Sequence, residues 1–184
     1  KIASISGRFY SMDRDNRWGR VQKGYEAIVE AKVKTKLSPQ DYIDLSYENG
    51  VTDEFVEPIA FDNYDGMLDG DSVLTINYRS DRMREMVTAL GDESFKEFEK
   101  KALKVNLATI TEYDKSFDYP VLFRKDSPKN TLAEVISAHG LRQLHTAETE
   151  KYAHVTFFLN GGIDEPYPNE TRVLIPSPDV KTYD

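Results

Sequence analysis

The sequence predicts an α/β fold, and three observations carry that expectation. Short apolar, β-branched runs alternate with stretches whose apolar residues recur every three or four positions, the alternation that builds helix-covered sheets. Hydrophobic residues make up 39% and aromatic residues 11% of the 184 positions, enough for the core of one domain, or of one domain and part of another. No internal repeat or low-complexity tract interrupts the alternation.

The chain opens at Lys1 and runs straight into a strand-like segment, Ile2-Ala3-Ser4-Ile5-Ser6, which predicts that it begins inside a larger protein. Residues 7–16 read as a loop. Val21, Tyr25, Ile28, Val29 and Val33 fall at spacings of three and four, so residues 17–34 predict an amphipathic helix. Ser38-Pro39 supplies an N-cap with proline at the first helical position, opening a second helix that stops near Gly50. Pro58, Gly66 and Gly70 break residues 53–71 into loop with a short strand at 59–61. Residues 72–78 read as a buried strand, and a helix capped by Ser80 follows through Met83, Met86, Val87 and Leu90 to Gly91. A strand at 107–113 leads to the polar stretch 124–130, where Pro128 marks the expected domain boundary. Beyond it come a short helix at 131–139 closed by Gly140, a strand at 141–144, an apolar element at 152–159 capped by Gly161-Gly162, and a strand at 173–175.

Charged residues make up 30% of the chain and the net charge is −8, a field that repels nucleic acid and anionic membranes, so neither is expected as a partner. An anion site here has to be local. No cysteine is present, which removes thiol chemistry and fits a reducing compartment; the expected location is cytoplasmic. No apolar run reaches the roughly 18 residues of a membrane span, and no signal peptide is recognisable. His139, His145 and His154 do not form a metal-binding spacing, and the acidic turns at 62–65 and 69–71 do not fit a calcium loop. There is no glycine-rich phosphate loop, no G-x-S-x-G elbow and no serine with a recognisable base partner. No catalytic residue is therefore assigned.

Three segments carry candidate ligand contacts. Arg79 and Arg82, three apart at a strand-to-helix junction, are placed to converge on one anion beside the free N–H groups of a helix start. The alternative is surface pairing with Asp81 and Glu85. The loop Gly7-Arg8-Phe9-Tyr10-Ser11-Met12-Asp13-Arg14-Asp15-Asn16-Arg17-Trp18 carries three arginines after a strand, where α/β folds often place sites. Its alternative is a salt-bridged helix start capped by Asp13 or Asp15, with Trp18 in the core. Arg14, Arg17 and Arg20 also have the spacing of a phosphate-backbone stripe, but the intervening acids argue against it. In the third segment Lys151 either reaches an anion as a point charge or pairs with Glu148 or Glu150, and His154 beside Val155 reads as a packing residue.

These segments, Ser6-Gly7-Arg8-Phe9-Tyr10-Ser11-Met12-Asp13-Arg14-Asp15-Asn16-Arg17-Trp18, Asn77-Tyr78-Arg79-Ser80-Asp81-Arg82-Met83-Arg84 and Ala147-Glu148-Thr149-Glu150-Lys151-Tyr152-Ala153-His154-Val155-Thr156-Phe157-Phe158, together resemble the 2,3-bisphosphoglycerate-independent phosphoglycerate mutases. Lys129-Asn130-Thr131-Leu132, Gly140-Leu141-Arg142-Gln143-Leu144 and Arg172-Val173-Leu174-Ile175-Pro176-Ser177-Pro178 agree as well, so the resemblance covers nearly the whole chain, as an interior piece. Ser80 stands where the family usually has proline, Gly19 where aspartate is common, and His145 where a basic residue is frequent; losing the proline loosens the geometry at Arg79.

The resemblance implies a later part of a transferase, substrate-clamping domain at 1–125 and the start of a resumed alkaline-phosphatase-like domain at 126–184. It implies interconversion of 3-phosphoglycerate and 2-phosphoglycerate through a phosphoserine intermediate, in glycolysis and gluconeogenesis, by an enzyme that uses two manganese or magnesium ions and works as a monomer. Arg8, Arg14, Arg79 and Arg82 would clamp the substrate and Lys151 would contact its phosphoryl group. The serine, the metal ligands and the acid/base residues would fall outside this chain, leaving it inactive alone. A stand-alone module that binds phosphorylated carboxylic acids without catalysis is the alternative, and a related phosphosugar mutase is a third.

Overall fold

The computed structural model describes residues 1–124 and 126–178. The chain separates into two compact units, Lys1–Arg124 and Lys125–Asp184. Lys125, within the polar stretch at 124–130, and the last six positions of the expected second domain, 179–184, lie outside the described residues.

In the first unit β1 (Ser4–Ile5) leads through Gly7 into α1 (Arg8–Ser11), a helical turn where the sequence reads as loop. Four residues are too few to show a period, and the turn is set by its surroundings. Gly7 N–H donates to Val56 O at 2.8 Å, and a Cβ on Gly7 would lie 2.7 Å from Val56 N and collide with Glu54 O. α2 (Trp18–Tyr25) continues as a wider π-type turn, Glu26–Glu30, and ends at Ala31 in the left-handed region. The helix stops short of Val33, which is exposed.

β2 (Lys34–Thr35) precedes α3 (Pro39–Glu48), whose cap is the expected one: Asp41 N–H donates to Ser38 Oγ at 3.1 Å. A 3₁₀ turn at Asp53–Phe55 precedes β3 (Ile59–Phe61), which is wholly buried between antiparallel β1 and parallel β2. β4 (Ser72–Thr75), α4 (Arg84–Gly91), β5 (Asn106–Thr111) and β6 (Val121–Phe123) then form a parallel sheet in the order β4-β5-β6.

The core gathers Val21, Tyr25 and Val29 with Met86, Val87, Ala89 and Leu90 of α4, Leu107 of β5 and Tyr113. Trp18 packs at its margin, edge-on to Phe95 with ring centroids 5.2 Å apart. The strand expected at 72–78 is shorter and less buried than its composition suggests. Val73 packs on the core and Thr75 is buried, but Leu74, Ile76 and Tyr78 are exposed, the last at 84%. β4 is an edge strand and the core covers one of its faces, so alternate side chains turn to solvent.

The second unit is built on a βαβ crossover. α5 (Leu132–Ala138) is capped by Thr131, whose Oγ1 accepts from Glu134 N–H at 3.4 Å, and Gly140 follows at φ 71°. β7 (Gln143–Glu148) pairs in parallel with β8 (Glu170–Ile175), and α6 (Thr149–Ala153) with a π-type turn at His154–Phe158 makes the crossover. Glu170 is buried beneath it and accepts from Asn160 Nδ2 and Tyr167 N–H, each at 2.9 Å, and from Arg172 Nε at 2.5 Å. Burial raises the Glu170 carboxyl, but these donors outweigh it and hold the group below its ordinary range. His145 Nδ1 lies 3.4 Å from Glu170 Oε1, so the ring stands beside an acid, in keeping with a position where a basic residue is frequent.

Gly7→Ala is expected to cost about 1–3 kcal/mol, because the added methyl meets rigid backbone. Urea unfolding of the purified chain measures this, and an unchanged midpoint would show that α1 can shift to accommodate the methyl.

Candidate functional site

Two loops of the first unit bring the arginines together. The first, residues 12–17, is shaped by Asp13. Its buried carboxylate accepts from Asp15 N–H at 3.0 Å and Arg17 N–H at 2.9 Å through Oδ2, and Oδ1 lies 3.5 Å from Arg20 NH1. Asp13 is not the N-cap of α2, a position held by Arg17 with no side-chain cap, and neither Asp13 nor Asp15 plays the capping part the sequence offered; the Asp13 carboxylate instead curls the chain that carries Arg14. Asn16 sits in the left-handed region at φ 58°, and its N–H donates to Glu85 Oε1 at 2.9 Å.

The second loop follows β4. Tyr113 OH donates to Asn77 O at 2.5 Å, and Asn77 Oδ1 accepts from Arg79 N–H at 3.0 Å. Ser80 does not cap the helix. It is buried, its hydroxyl donates to Glu112 O at 3.3 Å, and α4 begins only at Arg84 with Met83 as N-cap. Arg79 and Arg82 therefore lie in the turn ahead of the helix, not on its first turn, because Ser80 is anchored to the chain just beyond β5.

Asp81 joins the two loops. Arg14 NH1 reaches Asp81 Oδ2 at 3.1 Å across 67 residues, while Arg79 grips the same carboxylate bidentately, Nε to Oδ1 at 3.1 Å and NH2 to Oδ2 at 2.7 Å. Burial alone would raise Asp81; its hydrogen bonds with Arg79 and Arg14 hold it at about 2. Arg82 NH1 donates to a neutral acceptor, Met12 O, at 2.8 Å. Burial, then the positive fields of Arg14, Arg79 and Arg8, push the Arg82 guanidinium below its usual range. Arg8 is the outermost of the four and pairs with Glu54 at 2.9 Å, both side chains well exposed.

The other cations turn elsewhere. Arg20 lies 3.7 Å above the Phe9 ring whereas Arg14 reaches Asp81, so these two do not share a stripe, and Arg84 Nε donates to Tyr113 O at 2.8 Å. Glu85, read from the sequence as a surface partner for the arginines, is buried and belongs to the first loop. In the second unit Lys151 Nζ lies 3.1 Å from Glu150 Oε1 with its side chain 62% exposed. His154 is exposed, its ring 5.4 Å from that of Phe158.

Among the described residues no group of three or more acidic or histidine side chains could hold a metal ion. The divalent ions implied by the family resemblance do not fit the residues present. What the first unit does offer is a set of planar donors around a half-buried guanidinium, a chemistry suited to phosphate and carboxylate oxygens.

Comparisons with known proteins bear on the family of the chain. Residues 1–115 match the family described as BPG-independent PGAM N-terminus, and residues 81–184 match the Metalloenzyme superfamily. The 2,3-bisphosphoglycerate-independent phosphoglycerate mutase of Sulfurimonas denitrificans is 76% identical over 184 residues, and that of Helicobacter hepaticus 59%. Each comparison covers 100% of this chain, which spans 38% of the length of these curated relatives. Among solved structures, a Leishmania mexicana phosphoglycerate mutase studied at low cobalt concentration superposes with a TM-score of 0.80 at 31% identity, over 98% of this chain and 36% of that one. The arginine-bearing first unit and the βαβ second unit thus have counterparts in one set of proteins, and the chain belongs to the 2,3-bisphosphoglycerate-independent phosphoglycerate mutase family.

Proposed function

We propose that this chain supplies the substrate clamp of a phosphoglycerate mutase that interconverts 3-phosphoglycerate and 2-phosphoglycerate through a phosphoserine. The observation that supports the reading is Arg82, a half-buried guanidinium hydrogen-bonded to a neutral carbonyl within the fields of Arg8, Arg14 and Arg79. Such a group gains directly from an arriving anion. Arg14 and Arg79, held in fixed planes by Asp81, offer forks for a phosphate and a carboxylate at once. Holding both ends of a small ligand keeps it from leaving between two phosphoryl transfers, an entropic task that separates a mutase from a phosphatase.

Residues 1–125 form the later part of the transferase domain in this reading, and 126–184 the resumed phosphatase-like domain. Lys151 is a phosphoryl contact in this reading, its own side chain exposed and its ion pair with Glu150 therefore weak. The serine, the acid/base groups and the ligands for manganese or magnesium come from sequence outside these 184 residues. The whole enzyme works as a cytoplasmic monomer in glycolysis and gluconeogenesis. No helix among the described residues is long and apolar enough to cross a membrane. A coupled assay of the purified chain with manganese is expected to give no turnover, and mutase activity from it would overturn the division of labour.

Arg82→Ala is expected to remove roughly 2–4 kcal/mol of phosphoglycerate binding, a loss of about 30- to 1,000-fold in affinity. Calorimetric titration of the chain with 3-phosphoglycerate tests this; no binding by the parent chain, or equal binding by the variant, would reject the clamp.

Asp81 makes a second prediction, through acid. Its folded pKa of about 2 lies below the ordinary 3.8, so its contribution is present above pH 3.8 and lost as pH falls through 2. Asp81→Asn is expected to lower stability by about 2 kcal/mol at pH 7 and to flatten the decline between pH 4 and 2. Denaturant unfolding across that range would show parallel curves if Asp81 were only decoration.

A further inference from the structure

We propose that Glu85, which the clamp reading leaves without a role, is the positioning residue of the arginine cluster: from inside the core it fixes the 12–17 loop and so sets Arg14 and Arg82. The ligand-facing half of this inference rests on the phosphoglycerate reading above; the loop-fixing half does not.

Glu85 projects from the start of α4 and is only 7% exposed. Its Oε1 accepts the Asn16 N–H at 2.9 Å, joining positions 69 residues apart. Asn16 is held in a left-handed conformation, which the loop retains only if its surroundings specify it. Asp13 takes the amides on either side, those of Asp15 and Arg17, so two buried carboxyls satisfy three consecutive backbone donors. The same loop carries the working contacts. Met12 O orients Arg82 at 2.8 Å, and Arg14 reaches Asp81 at 3.1 Å. Releasing Asn16 frees the segment between them.

Glu85 Oε2 is buried without a hydrogen-bond partner. An ionised carboxylate would leave that oxygen orphaned, whereas a neutral carboxyl has an O–H to share with Asp13. The charged groups that face it are Asp13 and Asp15 of the loop; Arg20 of α2 reaches the other side of Asp13, and Arg84 of α4 turns away toward Tyr113 O and Asp114. Burial chiefly, then repulsion by Asp13 and Asp15 against the favourable Asn16 amide, lifts the Glu85 carboxyl to about 7. The folded value lies above the ordinary 4.5, so its contribution is complete below pH 4.5 and is lost as pH rises through 7.

Hydrogen exchange across residues 12–17, corrected for intrinsic rates, together with titration by 3-phosphoglycerate, tests the proposal in the parent chain, Glu85→Ala and Glu85→Gln at pH 6 and 8. Glu85→Ala is expected to cut loop protection and ligand affinity by about tenfold or more. Glu85→Gln keeps an acceptor for Asn16 and gains a donor toward Asp13, so it should restore both and abolish the fall in protection that the parent shows from pH 6 to 8. Parental protection in Glu85→Ala, or a folded Glu85→Gln that restores nothing, overturns the proposal. Should Glu85→Ala fail to fold, the same pH response in Glu85→Gln as in the parent overturns it. Loop changes as expected without any ligand binding would reject the phosphoglycerate reading and leave the positioning role standing; binding intact with an unresponsive loop would do the reverse.

Discussion

Guanidinium groups repel one another, and gathering Arg8, Arg14, Arg79 and Arg82 in one place requires something that opposes that repulsion. In this chain the opposing groups are carboxylates taken largely out of water. Asp81 binds two of the arginines directly, with side-chain exposure of 13% on its own side and 9% at Arg14. Asp13 works one step back, on the backbone that carries Arg14. The chain segments involved are far apart in sequence, so these acids also determine how the start of the chain meets the loop after β4. Without them the cluster would spread into solvent, where each arginine keeps its hydration and none is fixed.

Partners, more than burial, separate the arginines: the Arg79 side chain is 43% exposed and Arg14 only 9%, yet both are held by Asp81. The Arg8–Glu54 pair is exposed on both sides, where Coulomb attraction is screened and side-chain entropy offsets most of the gain. It can be exchanged for a ligand contact at little cost. Arg14 and Arg79 are already oriented by a shared carboxylate, so less freedom remains to be lost when a ligand binds. Arg82 is half-buried, bonds a neutral carbonyl, and lies in the positive fields of Arg14, Arg79 and Arg8 with Asp81 opposing them, an arrangement that an anion would relieve in the proposed clamp.

Local chemistry was legible in the sequence and long-range partnership was not. Ser38-Pro39 and Thr131 announce their helices because a cap bonds to an amide three residues on, within reach of any window. Val21, Tyr25 and Val29 announce α2 because a core-facing stripe has a period. Ser80 looks like a cap by the same local rule and is not one, because its hydroxyl finds Glu112 O, 32 residues away. Glu85 reads as a surface partner for neighbouring arginines because nothing nearby reveals that Asn16 will supply its donor. Arg79 and Asp81 were visible as a pair at a spacing of two; that Arg14 completes the triad follows only once the loops meet. The family motifs supplied the arginines' identity, but the geometry that makes them a cluster resides in the acids between them.

The acids also settle a conflict between scales of charge. These 184 residues sum to −8, so a phosphorylated carboxylic acid approaching from a distance meets a repelling field. At physiological salt that field decays over roughly 8 Å, while the hydrogen bonds of a guanidinium fork act at about 3 Å. Attraction is therefore confined to contact range. A general electrostatic attraction for anions would collect any phosphate compound in proportion to its charge; an attraction that begins only when oxygens meet preset forks rewards shape. Because Asp81 and Asp13 are part of the negative total and also the groups that set the forks, the proposed clamp would lose long-range steering and gain discrimination through the same residues.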